Sequence, residues 1–311
     1  MVAINSFIHG IFPRSEKLIK ISRDYDRKRA SLTSLHQQQK QDTKNLFSQQ
    51  KKLKFKYIED GKLCWQDIFR PFTDHSQGIK TGSLTRYFDN NTFFRQPIIK
   101  GKIKFNQAKI LDYFCPDKAV NKITLPSFFY LAKISDNNYY KNLESFLSSL
   151  AEQYHFLVKK LEKRGINFVQ LNDPYVVYHK ITNQELIIYK KAFSQFRNGL
   201  TSTIALHTFF GNISPLFNEL INFPHDVLGF DCFKTNLEEL TKQKVDKSLI
   251  LGCLDSRSPV MENKKMIKGL VTKVVAKFNP PQIYLTTSSE LEFLTSKLAY
   301  KKIEIIKNEK N

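Results

Sequence analysis

The sequence is short of the residues that staple or punctuate a fold. Four cysteines, at positions 64, 115, 232 and 253, occur among 311 residues. Their spacing forms neither a disulfide frame nor a C-x-x-C metal knuckle, so reduced, cytoplasmic thiols are expected. There is one tryptophan, with 11 glycines and 11 prolines. No linker, low-complexity tract or repeat of about 20–50 residues is present. No run of about 18 apolar residues occurs, which excludes a transmembrane helix. The opening MVAINSFIHGIFPR has no basic segment before its apolar start and no small-residue cleavage site after it, so no signal peptide is expected.

Acidic residues are scarce as well. Asp plus Glu total 29 against 49 Lys plus Arg, a formal net charge of +20. Such a charge invites a nucleic-acid-binding or regulatory reading. The cations, however, are spread over 15–56, 86–104, 159–164, 234–247 and 301–310 rather than gathered in one stripe. What is abundant is core material: 41% hydrophobic and 13% aromatic residues exclude a largely disordered chain.

Short β-rich runs alternate with stretches of helical period. The strand candidates are 2–8, 53–59, 123–128, 168–172, 203–208, 227–231, 249–254 and 283–287. Helical patterns cover 27–51, 138–164, 184–199, 214–220 and 264–277, with a short one at 236–242. Eight strands with crossover helices predict a closed (β/α)8 TIM barrel spanning 1–311 as one domain. The aromatic and basic stretch 78–105 breaks the alternation. It is expected to be a β-hairpin insertion after strand two, packed on the barrel.

The strand ends, taken in order, resemble cobalamin-independent methionine synthase over nearly the whole chain. The matching pieces start with Phe12-Pro13-Arg14 and Glu59-Asp60-Gly61-Lys62-Leu63-Cys64-Trp65-Gln66-Asp67. Leu125-Pro126-Ser127-Phe128-Phe129, Gln170-Leu171-Asn172-Asp173-Pro174 and His207-Thr208-Phe209-Phe210-Gly211-Asn212 follow. Leu228-Gly229-Phe230-Asp231, Gly252-Cys253-Leu254-Asp255-Ser256-Arg257 and Thr287-Ser288-Ser289-Glu290-Leu291 complete the series. The resemblance implies two related barrels in the family enzyme. The C-terminal one carries a zinc that binds homocysteine thiolate. The N-terminal one lacks the metal and helps hold the folate. In some archaea the two are separate single-barrel proteins.

Zinc that activates a thiol needs soft or imidazole ligands and one open position. The zinc-bearing barrel uses His-x-Cys, Glu and Cys. The positions that match here are Phe209, Gly211, Asp231 and Ser289, of which only Asp231 is a good ligand. The family's catalytic His falls at Arg257, and a homocysteine-binding Glu falls at Lys62. Trp65 and Asp67 instead match the N-terminal barrel's Trp-x-Asp. The resemblance therefore implies the zinc-less half, in methyl transfer from a methylated tetrahydrofolate or tetrahydropterin to homocysteine. Zinc is not expected in this chain, and the implied partner is a separate zinc-bearing barrel protein. No confident catalytic residue emerges. A stand-alone methyltransferase with an altered metal site or a corrinoid methyl donor is the alternative.

Candidate substrate- or pterin-binding residues lie at strand ends, where barrel chemistry sits. Arg14 is a carboxylate or phosphate fork, and Trp65 a ring to stack a pterin or to fill the core. Asp67 orders its loop. Asp173 is an amine ligand or a strand-end cap. Asp231, Asp255 and Arg257 form a polar cluster or an internal ion pair, and Lys62 completes the set. His207 and Cys253 are assigned the same inward parity, which with Asp231 would permit a relocated metal site.

Overall fold

A computed structural model describes residues 2–308, so the end of the basic run 301–310 lies outside the described residues. The strands are β1 (Ala3–Ser6), β2 (Ser76–Arg86), β3 (Phe93–Phe105), β4 (Lys122–Pro126), β5 (Asp136–Asn137), β6 (Phe168–Asn172), β7 (Thr203–Thr208), β8 (Val227–Asp231), β9 (Ser248–Leu254) and β10 (Gln282–Thr287). Seven of them form one parallel sheet in the order β1-β10-β9-β8-β7-β6-β4. β2 and β3 pair antiparallel, with β5 added beside β3, as a separate sheet.

The seven-stranded sheet has apolar residues on both faces because helices cover its outside. Residues of alternate parity point inward. Phe7, Tyr57, Phe168, Ala205, Val227, Ile250 and Tyr284 make a buried cluster of their own there. The Tyr57 ring lies 4.6 Å from Phe168 and 6.3 Å from Phe7. Phe7 and Phe168 also meet directly at 5.4 Å, so the end of β1 and the start of β6 approach across the curled sheet.

The expected strand at 53–59 is not a strand, and the closed eight-stranded ladder is corrected to seven. Its side chains do alternate as in a strand, with Leu53, Phe55 and Tyr57 buried and Lys54 and Lys56 exposed. The backbone bonds go elsewhere. Lys54 adopts φ +57°. Glu59 N–H donates to Gln50 Oε1 (3.1 Å), and Gln50 Nε2 donates to Glu59 O (2.8 Å). Ile58 O accepts from Asn121 and Lys122 N–H, both at 3.2 Å, while Ile58 N–H and Lys56 O bond to the Asn121 side chain rather than to a strand backbone.

The main helices are amphipathic with side-chain caps. Leu32–Lys52 starts at Ser31, Leu143–Glu162 at Asn142, and Asn183–Arg197 at a Thr182/Glu185 capping box. Lys264–Phe278 ends at Asn279, which takes φ +42°. The helix expected at 236–242 is only a 3-10 turn, Leu237–Glu239. Glu16–Asp26, Phe128–Ile134 and Ser296–Ile305 are further helices that the pattern did not reveal.

Candidate functional site at the carboxyl ends of the strands

The tip between β2 and β3, residues 87–92, lies over the carboxyl ends of the parallel strands. Phe88 lies 5.5 Å from Phe210 and 4.8 Å from Tyr178, and Tyr87 lies 6.3 Å from Phe293. Arg257 Nη1 pairs with Asp89 Oδ1 at 3.1 Å and its guanidinium sits 4.9 Å from the Phe210 ring centre. An aromatic cap, latched by one ion pair, therefore covers the mouth.

Beneath the cap lies a buried polar cluster. The rings of His9 and His207 approach to 4.4 Å. His9 Nε2 lies 2.9 Å from the Asn172 side-chain amide, and Nδ1 lies 3.2 Å from Thr287 O. The same amide lies 2.9 Å from Gln170 and 3.3 Å from Glu290. Tyr87 O–H donates to Glu290 Oε2 at 3.4 Å.

Protonation follows from burial. Burial, then the charge of Lys122, lowers His9 to about 4, so it is neutral at pH 7. Burial and the charge of Glu292 raise Glu290 to about 8, so it keeps its proton. Neutral His9 donates Nε2–H to Asn172 Oδ1, which also accepts from Gln170 Nε2. Asn172 Nδ2 in turn donates to Glu290 Oε1. His9, Gln170, Asn172 and Glu290 thus form an uncharged hydrogen-bonded chain, beside which His207 Nε2 has no partner among the described residues.

Deeper, Glu59 accepts from two lysines. Lys122 Nζ donates to its Oε2 at 2.6 Å, and Lys62 Nζ donates to its Oε1. All three side chains are fully buried. Burial pushes the Glu59 carboxyl up, but Lys122 and Lys62 outweigh it and hold the group down to about 2. Burial, partly offset by Glu59, lowers Lys122 to about 8.

The residues singled out from sequence fall into three groups. Lys62, Trp65 and Asp67 share the loop after Glu59, and Arg14 docks on it. Arg14 donates from Nε to Leu63 O at 3.1 Å and from Nη2 to Trp65 O. Trp65 is 1% exposed, packs edge-on against Phe72, Tyr113 and Phe114, and donates to Tyr113 O. Asp67 accepts from the N–H groups of Phe69 and Arg70, and from that of Arg95 on β3. Asp173 stands apart. It takes the Ser127 hydroxyl at 2.6 Å and Val176 N–H at 3.2 Å, and burial raises it to about 6. Asp231, Asp255 and Arg257 come together at the rim, but the side-chain ion pair of Arg257 is with Asp89.

The positions that align with zinc ligands do not fit zinc. Phe209 offers a ring. Any Cβ on Gly211 would run into the carbonyl oxygen of Val177. Ser289 Oγ is 2.5 Å from Ser256 Oγ, and Asp231 accepts from Phe233 N–H. Among the described residues, no three His, Cys, Asp or Glu side chains are grouped to hold a metal. The relocated site is also corrected. Ile250 faces inward, so Cys253, three residues on, faces the helices, where it packs in the outer core. Its Sγ donates to Thr286 O at 3.6 Å.

The family model for the N-terminal domain of cobalamin-independent synthase matches residues 72–279. The chain belongs to the cobalamin-independent methionine synthase family. Among curated relatives, methionine synthase of Saccharolobus solfataricus is 24% identical over 256 residues, covering 78% of this chain and 75% of that protein. Methionine synthase of Pyrococcus furiosus is 25% identical over 251 residues, covering 78% and 73%. A B12-independent methionine synthase from Shewanella, solved with selenomethionine, superposes with TM-score 0.75 at 14% identity over 98% of this chain and 96% of that one. A putative vitamin-B12-independent methionine synthase from Listeria monocytogenes gives 0.75 at 17% identity, covering 97% and 96%. These structures share the fold of this family member.

Sequence reasoning missed His9, Asn172, Gln170, Glu290, Glu59 and Lys122 as a connected set. Period-two parity carried the signal. Phe168, Gln170 and Asn172 share one face of β6, so polar residues follow an inward aromatic.

Proposed function

We propose that this protein acts in methyl transfer from a methylated tetrahydrofolate or tetrahydropterin to homocysteine, as the metal-less, pterin-binding half of a two-barrel system. A separate zinc-bearing barrel supplies the thiolate. The observation that carries this reading is the zinc-position set, in which Phe209 and Ser289 are poor ligands and Gly211 has no room for a side chain, leaving Asp231 as a single carboxylate.

In this reading Arg257, with Asp231 and Asp255 beside it, meets the donor's acidic tail when the 87–92 tip lifts. Arg14, Lys62, Trp65, Asp67 and Asp173 position the loops that frame it. The barrel's neutral inner cluster keeps water and stray charge away from the ring-binding side. The family's methyl donors fit a basic rim, because a guanidinium binds carboxylates in a fork.

The test is reconstitution. Mixing the chain with its zinc-bearing partner should restore turnover that neither shows alone. Turnover by this chain alone, with stoichiometric zinc, overturns the reading. In the same system Arg257→Ala should weaken methyltetrahydrofolate binding by about tenfold, the scale of one charge-assisted contact.

A further inference from the structure

A cavity opens on the flank of the barrel, away from the strand carboxyl ends. It holds about 640 Å³, between β1 and the helices Lys264–Phe278 and Ser296–Ile305. That size suits a single small ligand.

Its lining has one sign of charge. Lys54, Lys264, Lys268 and Lys307 border it, and among the described residues no Asp or Glu does. Lys264 and Lys268 are one helical turn apart and so project from the same face. Their side chains are exposed at the rim, and an anion there would meet no carboxylate among the described lining residues.

Its wall is aliphatic. Ile267, Val271, Leu285 and Ile306 contribute, and no aromatic side chain lines it. A planar base or pterin ring would find nothing to stack on. A flexible hydrocarbon chain needs only apolar area.

One buried polar group points to a ligand. Ser6 is 1% exposed, lines this cavity, and its Oγ has no hydrogen-bond partner. Phe7 faces the barrel interior, so Ser6, its neighbour, faces outward toward the helices. An unsatisfied buried hydroxyl costs free energy that a ligand acceptor would recover.

We propose that this flank cavity binds a long-chain carboxylate, with its head among the lysines and Ser6 and its alkyl chain along the isoleucine–valine wall. The site is separate from the capped mouth and does not depend on the methyl-transfer reading.

The probe is dodecanoate, titrated below its micellar range into the full chain by calorimetry. One saturable site per chain is expected. Dodecanol, which lacks the charge, and inorganic phosphate, which lacks the chain, should each bind at least about tenfold more weakly. Lys264→Glu with Lys268→Glu should weaken dodecanoate by about tenfold or more, and raised salt should weaken the unaltered protein likewise. Val271→Phe fills the wall without touching charge and should also weaken it. Arg257→Ala, at the mouth, should leave it unchanged. The proposal is overturned if binding is not saturable, if both flank variants bind dodecanoate normally, or if phosphate alone binds as tightly.

Discussion

At the scale of single residues, the interior of the barrel is controlled by protonation. Glu59 sits between two buried ammonium groups. Glu59→Gln leaves both uncompensated, and breaking a buried pair in this way costs about 3–5 kcal/mol. Urea unfolding at neutral pH checks it; an unchanged midpoint would show that the lysines do not need the carboxylate. Glu59 also gives an acid dependence. Its folded value of about 2 lies below the ordinary 4.5, so its stabilisation is complete above pH 4.5 and is lost as pH falls toward 2. Glu290 works in the opposite sense. Its folded value of about 8 exceeds 4.5, so the folded state holds a proton that the unfolded state has released between those values. Stability therefore falls as pH rises from about 5 to 8. Glu290→Gln keeps an acceptor toward Asn172 without a titrating proton, and its stability should be flatter across that window. Parallel denaturation series at pH 5, 6.5 and 8 would reveal the difference, and identical slopes would remove Glu290 as the cause.

At the scale of elements, the strands bounded by hydrophobic periodicity were legible where backbone pairing was also possible. β6, β7 and β8 coincide with the expected runs 168–172, 203–208 and 227–231. At 53–59 the side-chain pattern was read correctly but the ladder was not, because Gln50 supplies the bonds that a strand would have taken. Alternation reports which side chains are buried; it does not report where N–H and C=O go. Gln50→Leu should therefore destabilise by about 2–4 kcal/mol, the cost of orphaning a donor and an acceptor together, read by thermal or urea unfolding. Gly211 makes a second element-scale case. The backbone of 177–178 packs so closely on it that Gly211→Ala should cost about 1–3 kcal/mol or more. Rebuilding a His-x-Cys ligand pair at 209 and 211 should likewise give no stoichiometric zinc by metal analysis. The site was less legible than the strands. Arg257 pairs with Asp89, 168 positions earlier in sequence, and no local pattern announces a contact over that separation.

At the scale of the whole molecule, the +20 charge has an immediate physical consequence whatever the protein binds. Most lysines and arginines lie on exposed helix faces and loops, and several of the ion pairs that form are themselves solvent-exposed. Exposed pairs contribute little, about 0–1 kcal/mol each. Like charges on a compact surface repel more than they do in the expanded unfolded chain. Salt shortens the range of that repulsion, from a Debye length of about 30 Å at 0.01 M to about 8 Å at 0.15 M. The repulsion is a sum over many distant pairs, so it is screened more than the few short surface attractions. The fully buried Glu59 triad is shielded from the salt and does not change the sign. The melting temperature should therefore rise between low and physiological sodium chloride, with no ligand present. Differential scanning calorimetry over that range is the measurement. A melting temperature that falls with salt would mean that paired attractions, not dispersed repulsion, dominate the surface.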